Sequence, residues 1–322
     1  LEARTLRPLG LGEILDRAVT LCVRHFVIFA LIWVVFALPL AVFQFLGTQD
    51  QSKIFGALAE ILRQSNAGKS ADPSAISAAL QGSPVLNGWT AAYFLSFLFV
   101  SPLATAALVT AAATLYLGGR LDFGAAYRVA LSRYLHLLGY NLMWLLGAAI
   151  LYLAIVFAGV ILAFGFIGLA SALKAAGVAI AVIFGIIFGL AIVCFALIVL
   201  VAYNVGFYVC VIERRSFVEA FAAGIQRVFN RVGFVRALFV GLAYLAIGIG
   251  VWILSLAGQG LLYGLLRSHI LGTAFGTLVS VAIAAFLTAF LTIFYFDLRV
   301  REEGLDLLLA AEAPERLPSA PA

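Results

Sequence analysis

The chain has 322 residues, of which 65% are hydrophobic and only 11% charged. Water-soluble domains carry about a quarter charged residues, and the apolar excess here lies in long runs, so the composition excludes an ordinary soluble domain and points to a polytopic membrane protein. The net charge of +5 does not mark a nucleic-acid binder, because the basic residues sit in short stretches between apolar runs, where membrane topology accounts for them.

In chain order, the first element is polar. The opening "RPLGLGEILDRA" (7–18) leads into "LGEILDRAVTLCVRHF" from Leu11. Its apolar positions Leu11, Ile14, Leu15, Ala18, Val19 and Cys22 recur at helical spacing. Glu13, Asp16, Arg17, Thr20 and Arg24 fall on the opposite face. The pattern predicts an amphipathic helix lying along the membrane surface, its apolar face toward lipid or protein, before the chain turns into a span. Glu13 and Arg17 are four apart and can pair, at about 0.2–0.5 kcal/mol. Acidic residues precede the first apolar run, so no cleavable signal peptide is expected.

Six apolar runs follow, roughly 26–46, 89–117, 137–169, 177–209, 237–264 and 271–296. Each reaches the ~20 residues that cross a bilayer core of ~30 Å. Lipid offers the backbone no partner, so they are predicted to be helices. Pro39 and Pro102 lie inside spans and should kink them. Between the first two runs, "SKIFGALAEILRQ" from Ser52 predicts a short amphipathic helix, either resting on the bilayer or covering an outer cavity. "GKSADPSA" from Gly68 reads as a turn-rich break.

The amphipathic pattern returns twice. "FGAAYRVALSRYLHLL" from Phe123 and "FVEAFAAGIQRVFNRV" from Phe217 repeat the spacing of the first copy. The fourth apolar position is small each time: Ala18, Ala130 and Gly224. The fold class read from this is all-α, with six transmembrane helices, three interfacial amphipathic helices and a threefold internal repeat. The repeat units are about 11–117, 123–209 and 217–296, within one membrane domain over 1–308, with a flexible tail at 309–322. Fifteen of the twenty Lys and Arg fall on the side of the two termini and five on the other. That bias predicts both termini on the cytoplasmic side.

The opening "RPLGLGEILDRA" together with the ending "FYFDLRVREEGLDL" from Phe294 resembles a bacterial family, the membrane domain attached to some glycerophosphoryl diester phosphodiesterases and also found alone. The resemblance spans about residues 7 to 308. It implies a multi-span domain of the bacterial inner membrane and carries no residue-level mechanism.

No catalytic, cofactor or metal residues are assigned. His25, His136 and His269 are far from any carboxylate cluster in sequence, and the barrel of roughly 250 residues that would carry such catalysis has no room here. The three cysteines, Cys22, Cys194 and Cys210, are isolated and show no metal spacing. The expected function is therefore a non-catalytic membrane protein that binds lipid or serves as a scaffold for a partner. Arg214, Arg215, Arg227, Arg231 and Arg236 are the candidate contacts for anionic headgroups. The competing reading is a transporter of a small molecule or lipid, with Asn141 and Asn204 as its candidate polar cavity and Gln259 a further notable polar residue. The span interiors carry no ionisable group of the kind that usually marks an ion path. Glu13, Asp16, Arg299 and Arg301 are candidates for a contact between the termini, with Asp16 facing Arg299 or Arg301. The glycine pairs 185/189, 260/264 and 272/276 suit close helix packing, within one chain, in a homo-oligomer or against a membrane-protein partner.

Overall fold

The computed structural model describes residues 7–48, 88–173, 175–266 and 269–304. The amphipathic segment from Ser52, the break from Gly68 and the tail at 309–322 lie outside the described residues. Those described form nine helices and no strand: α1 (Leu11–Arg24), α2 (Phe26–Thr48), α3 (Gly88–Tyr116), α4 (Phe123–Ser132), α5 (Tyr134–Leu173), α6 (Ala175–Ile212), α7 (Phe217–Val228), α8 (Arg231–Leu266) and α9 (His269–Glu303). Six of them are long and apolar enough to cross a membrane. The protein is an all-α, polytopic integral membrane protein.

The six long helices pair as three hairpins, α2–α3, α5–α6 and α8–α9. Each outgoing helix also packs on the returning helix of the hairpin before it: α5 on α3, α8 on α6, and α2 on α9, which closes the ring. The returning helices α3, α6 and α9 meet one another in the middle. The short helices follow the same rule, α4 lying on α3, α7 on α6 and α1 on α9.

Small residues make these contacts possible. Ile14, Ala126 and Ala220 are buried at matching positions of the three short helices, as are Ala18, Ala130 and Gly224 one turn later. The small-residue stripe of each apolar face therefore rests on protein, whereas Val19, Phe123, Leu131 and Phe217 beside it are exposed. Where α7 crosses α6, a Cβ on Gly224 would lie 2.7 Å from the Ala202 carbonyl oxygen and 2.8 Å from the Gly206 Cα. Only glycine lets α6 and α7 approach this closely. Helix α7 starts on a capping box, in which Ser216 Oγ accepts from the Glu219 amide and Glu219 Oε2 accepts from the Ser216 amide.

Two long helices outrun their apolar runs furthest. Helix α8 begins at Arg231 rather than 237, and α9 continues to Glu303 rather than stopping at 296. The charges beyond Phe296 continue α9 because they pair one turn apart: Arg301 with Asp297 at 3.1 Å and Arg299 with Glu303 at 2.8 Å. Gly304, at φ 60°, ends it. Helices α3 and α6 end in the same way, on Gly118 at φ 82° and Arg214 at φ 56°.

Candidate functional site

Among the described residues, two places gather the polar side chains that make up a candidate site. The first is the end of the molecule where both described termini and the short helices meet. Glu213, just past α6, is nearly buried and accepts hydrogen bonds from Arg227 of α7 and from the Tyr295 hydroxyl of α9. Arg215 reaches the same carboxylate at 2.9 Å and Arg299 at 3.8 Å. Arg227, 8% exposed, also pairs with Glu303 and lies 3.9 Å from Glu302. Asn230 donates to Glu302. Burial pushes the Glu213 carboxyl up, but hydrogen bonds from Arg227 and Tyr295 and the charges of Arg227 and Arg299 outweigh it. They hold it below the usual carboxylate value.

Beside this cluster, Asp297 is fully enclosed. Its carboxylate accepts from the Leu9 amide at 2.7 Å and from Arg301 at 3.1 Å, and forms an ion pair with Arg236 at 2.8 Å. Arg236 and Arg301 both donate in addition to the Leu9 carbonyl. The remaining connections are tied in by Arg17 to the Tyr116 hydroxyl at 3.2 Å and by Arg133 to the Arg215 carbonyl at 2.6 Å. This ion-pair clamp joins all three hairpins at one end.

The clamp redraws the residues expected from sequence. Arg227 and Arg236 are not free for headgroups, since buried carboxylates hold both. Arg215 is half-exposed and shared with Glu213, whereas Arg214 is exposed. The Arg231 side chain lies outside the described set. The termini do meet, but not through Asp16, which is exposed. Arg301 binds Asp297 and the Leu9 backbone, and Arg299 binds Glu303. Glu13 pairs with Arg7 and lies 3.7 Å from Arg17.

The second place is a cavity of about 300 Å³ between α2, α3, α8 and α9, distant in sequence from the clamp. Its polar wall carries Ser255 and Gln259 of α8 with Thr273, Thr277 and Ser280 of α9. Gln259 Nε2 donates to Ser255 Oγ at 2.8 Å. Trp33, Phe36, Leu40 and Phe97 form much of the opposite wall. Asn141 and Asn204 do not line it, which corrects the placement expected for a polar cavity. Asn141 Oδ1 accepts from the Tyr203 hydroxyl at 2.6 Å and so fastens α5 to α6, while Asn204 Nδ2 donates to the Leu200 carbonyl at 2.8 Å. Among the described residues no three His, Cys, Asp or Glu side chains gather as a metal site would require.

A family model described as "Domain of unknown function (DUF8558)" matches residues 1–300. No curated protein and no solved structure matches the chain.

Proposed function

The chain belongs to the DUF8558 family, a domain of unknown function, and we propose that it is a non-catalytic, lipid-binding scaffold of the bacterial inner membrane, with the clamped end and both termini facing the cytoplasm. The observation that carries this reading is a rim of free cations around the clamp. Arg24, Arg120, Arg128 and Arg214 are exposed and have no ion pair among the described residues, whereas the neighbouring arginines are consumed internally. Anionic headgroups attract such residues with about 1 kcal/mol each near a membrane surface.

Arg214 adds to the argument. It stands in the left-handed backbone region where the other two returning helices use glycine. A residue other than glycine costs about 1–2 kcal/mol there, and strain of this kind is commonly kept for a purpose. The threefold repeat belongs to the same reading, supported by the cyclic packing of three hairpins and three short helices. So does kinship with the phosphodiesterase membrane domains. The two end motifs that carry that resemblance bind each other, through Leu9 and Asp297.

Reconstitution into nanodiscs of mixed phosphatidylglycerol and phosphatidylcholine tests the proposal. Native mass spectrometry should find phosphatidylglycerol enriched on the wild-type chain. A quadruple variant, Arg24→Gln, Arg120→Gln, Arg128→Gln and Arg214→Gln, should lose most of that enrichment. An unchanged preference in a folded quadruple variant would refute it. A transporter is the second reading, favoured by the polar cavity beside Gln259; vesicle uptake of a neutral solute that Gln259→Leu abolishes would support it.

A further inference from the structure

We propose that the cavity beside Gln259 binds an uncharged membrane amphiphile whose polar end is a hydrogen-bond donor, a hydroxyl above all. This stands apart from the arginine rim and does not depend on it.

The chemistry of the walls selects the ligand. Among the described residues the polar lining is hydroxyl and amide, with no Asp, Glu, Lys, Arg or His. A charged headgroup entering here would lose its water and meet no counter-ion among the described residues, which is costly inside an enclosed site. A neutral polar group would pay far less. The pattern of hydrogen bonds narrows the choice further. Thr277 Oγ1 donates to the Thr273 carbonyl at 2.9 Å, and Ser280 Oγ donates to the Thr277 carbonyl at 2.7 Å. Both hydroxyl protons are thereby engaged on the helix backbone, and the oxygens are left as acceptors. Gln259 uses an N–H on Ser255, so its carbonyl oxygen adds another acceptor. An alcohol can donate to these acceptors and also accept from the Ser255 hydroxyl or the second Gln259 N–H, whereas an ether or ester leaves the acceptors unpaired.

The position of the cavity selects the source. Gln259 is 23 residues beyond Arg236 on the same helix, about 34 Å along it at 1.5 Å per residue. With the clamp at one membrane surface, that distance puts the amide near the far edge of a hydrocarbon layer of ~30 Å. A lipid of the far leaflet would have its polar end at this depth. Its chain would follow the apolar wall at Phe36 and Leu40, entering past Phe97, which is 52% exposed. Gly276 keeps the amide in place: a Cβ there would come within 2.8 Å of Gln259 Nε2.

The test uses the full chain in nanodiscs and four photoreactive probes of equal chain length: a long-chain alcohol, its methyl ether, the fatty acid carboxylate and the alkylammonium. Each carries a mid-chain diazirine. The alcohol should label peptides of α2, α8 and α9 around Phe36, Gln259 and Thr277. The other three should label them about tenfold less at equal concentration. Excess unlabelled alcohol should compete, whereas a short water-soluble diol should not. Gln259→Leu and Thr277→Val should each weaken alcohol labelling several-fold while the elution profile and helicity stay unchanged. Equal labelling by alcohol and ether would overturn the proposal. So would stronger labelling by either charged probe, labelling spread over the exposed face of α5, competition by the short diol, or full labelling of both folded variants. The probe comparison on the wild-type chain decides the matter if either variant fails to fold.

Discussion

Helices α5 and α9 are 40 and 35 residues long, and both are apolar enough to span a membrane. Yet α5 buries no residue from Asn141 to Gly168, whereas α9 buries every residue from Thr288 to Leu298. In lipid, apolar character does not drive helices together, because hydrocarbon chains are as greasy as leucine. Close approach and polar contacts do. Helix α9 has the small residues Ala285 and Ala289 and, at its end, the charged groups of the clamp. The outer part of α5 presents Leu145, Leu146, Tyr152 and Phe157, all exposed. The same comparison holds between the two ends of the molecule: one is tightly packed and cross-linked by ion pairs, while the far part of the α5–α6 hairpin offers large side chains outward.

The clamp should give the largest effect. Glu213→Ala leaves Arg227 buried without its main partner, and losing one side of a buried pair costs about 3–5 kcal/mol. Leu146→Ala, on the exposed face of α5, should change stability by less than about 0.5 kcal/mol. Unfolding of detergent-solubilised protein by heat or denaturant measures both. Equal effects would mean that the two regions do not differ as described. The contribution of Glu213 should also depend on pH. Its carboxyl is held below the ordinary value, so its stabilisation is fully present above the unfolded value of about 4.3. It fades as pH falls through the lower folded value. The gap between wild type and Glu213→Gln should therefore be constant from pH 7 to 5 and close only in stronger acid.

Glycines sharpen the contrast, because the same substitution should have opposite signs in the two regions. A Cβ on Gly206 would lie 2.7 Å from the Ala220 carbonyl oxygen, whereas one on Gly185 meets nothing within 4 Å. Gly206→Ala should push α7 off α6 and destabilise by about 1–3 kcal/mol. Gly185→Ala, in an open part of α6, should stabilise by about 0.5–1 kcal/mol, because alanine holds a helix better. Paired unfolding curves read both signs.

What the sequence shows and hides follows from the same physics. Long apolar runs announce the six membrane helices, because twenty consecutive residues of that kind have few other uses. The recurring small position at Ala18, Ala130 and Gly224 signals close contact, and all three are buried. The end of α9 is harder to read. Its charges look like an exit into water, yet Asp297, Arg299, Arg301 and Glu303 satisfy one another along the helix. One partner of Asp297 is also hidden, since the backbone amide of Leu9 joins Arg236 and Arg301 on its carboxylate. Arg227 and Arg236 look like surface cations for the matching reason: their carboxylates stand on other elements, Glu213 just past α6 and Asp297 on α9. Asn141, Asn204 and Gln259 are equally conspicuous in an apolar sequence. Only their neighbours separate the two asparagines, which tie off locally, from the glutamine, which borders a cavity.

Arg214 should give a small effect and the most discriminating one. Its φ of 56° suits glycine, so Arg214→Gly should raise stability by about 1 kcal/mol. Arg214→Gln keeps the strain and removes only the charge, so its stability should stay within about 0.5 kcal/mol of wild type. If the rim binds anionic lipid, both variants should weaken phosphatidylglycerol enrichment to a similar degree, although only one is stabilised. Enrichment that tracks stability instead of charge would show that the strained arginine is a feature of packing. It would then belong with the clamp rather than with the membrane surface.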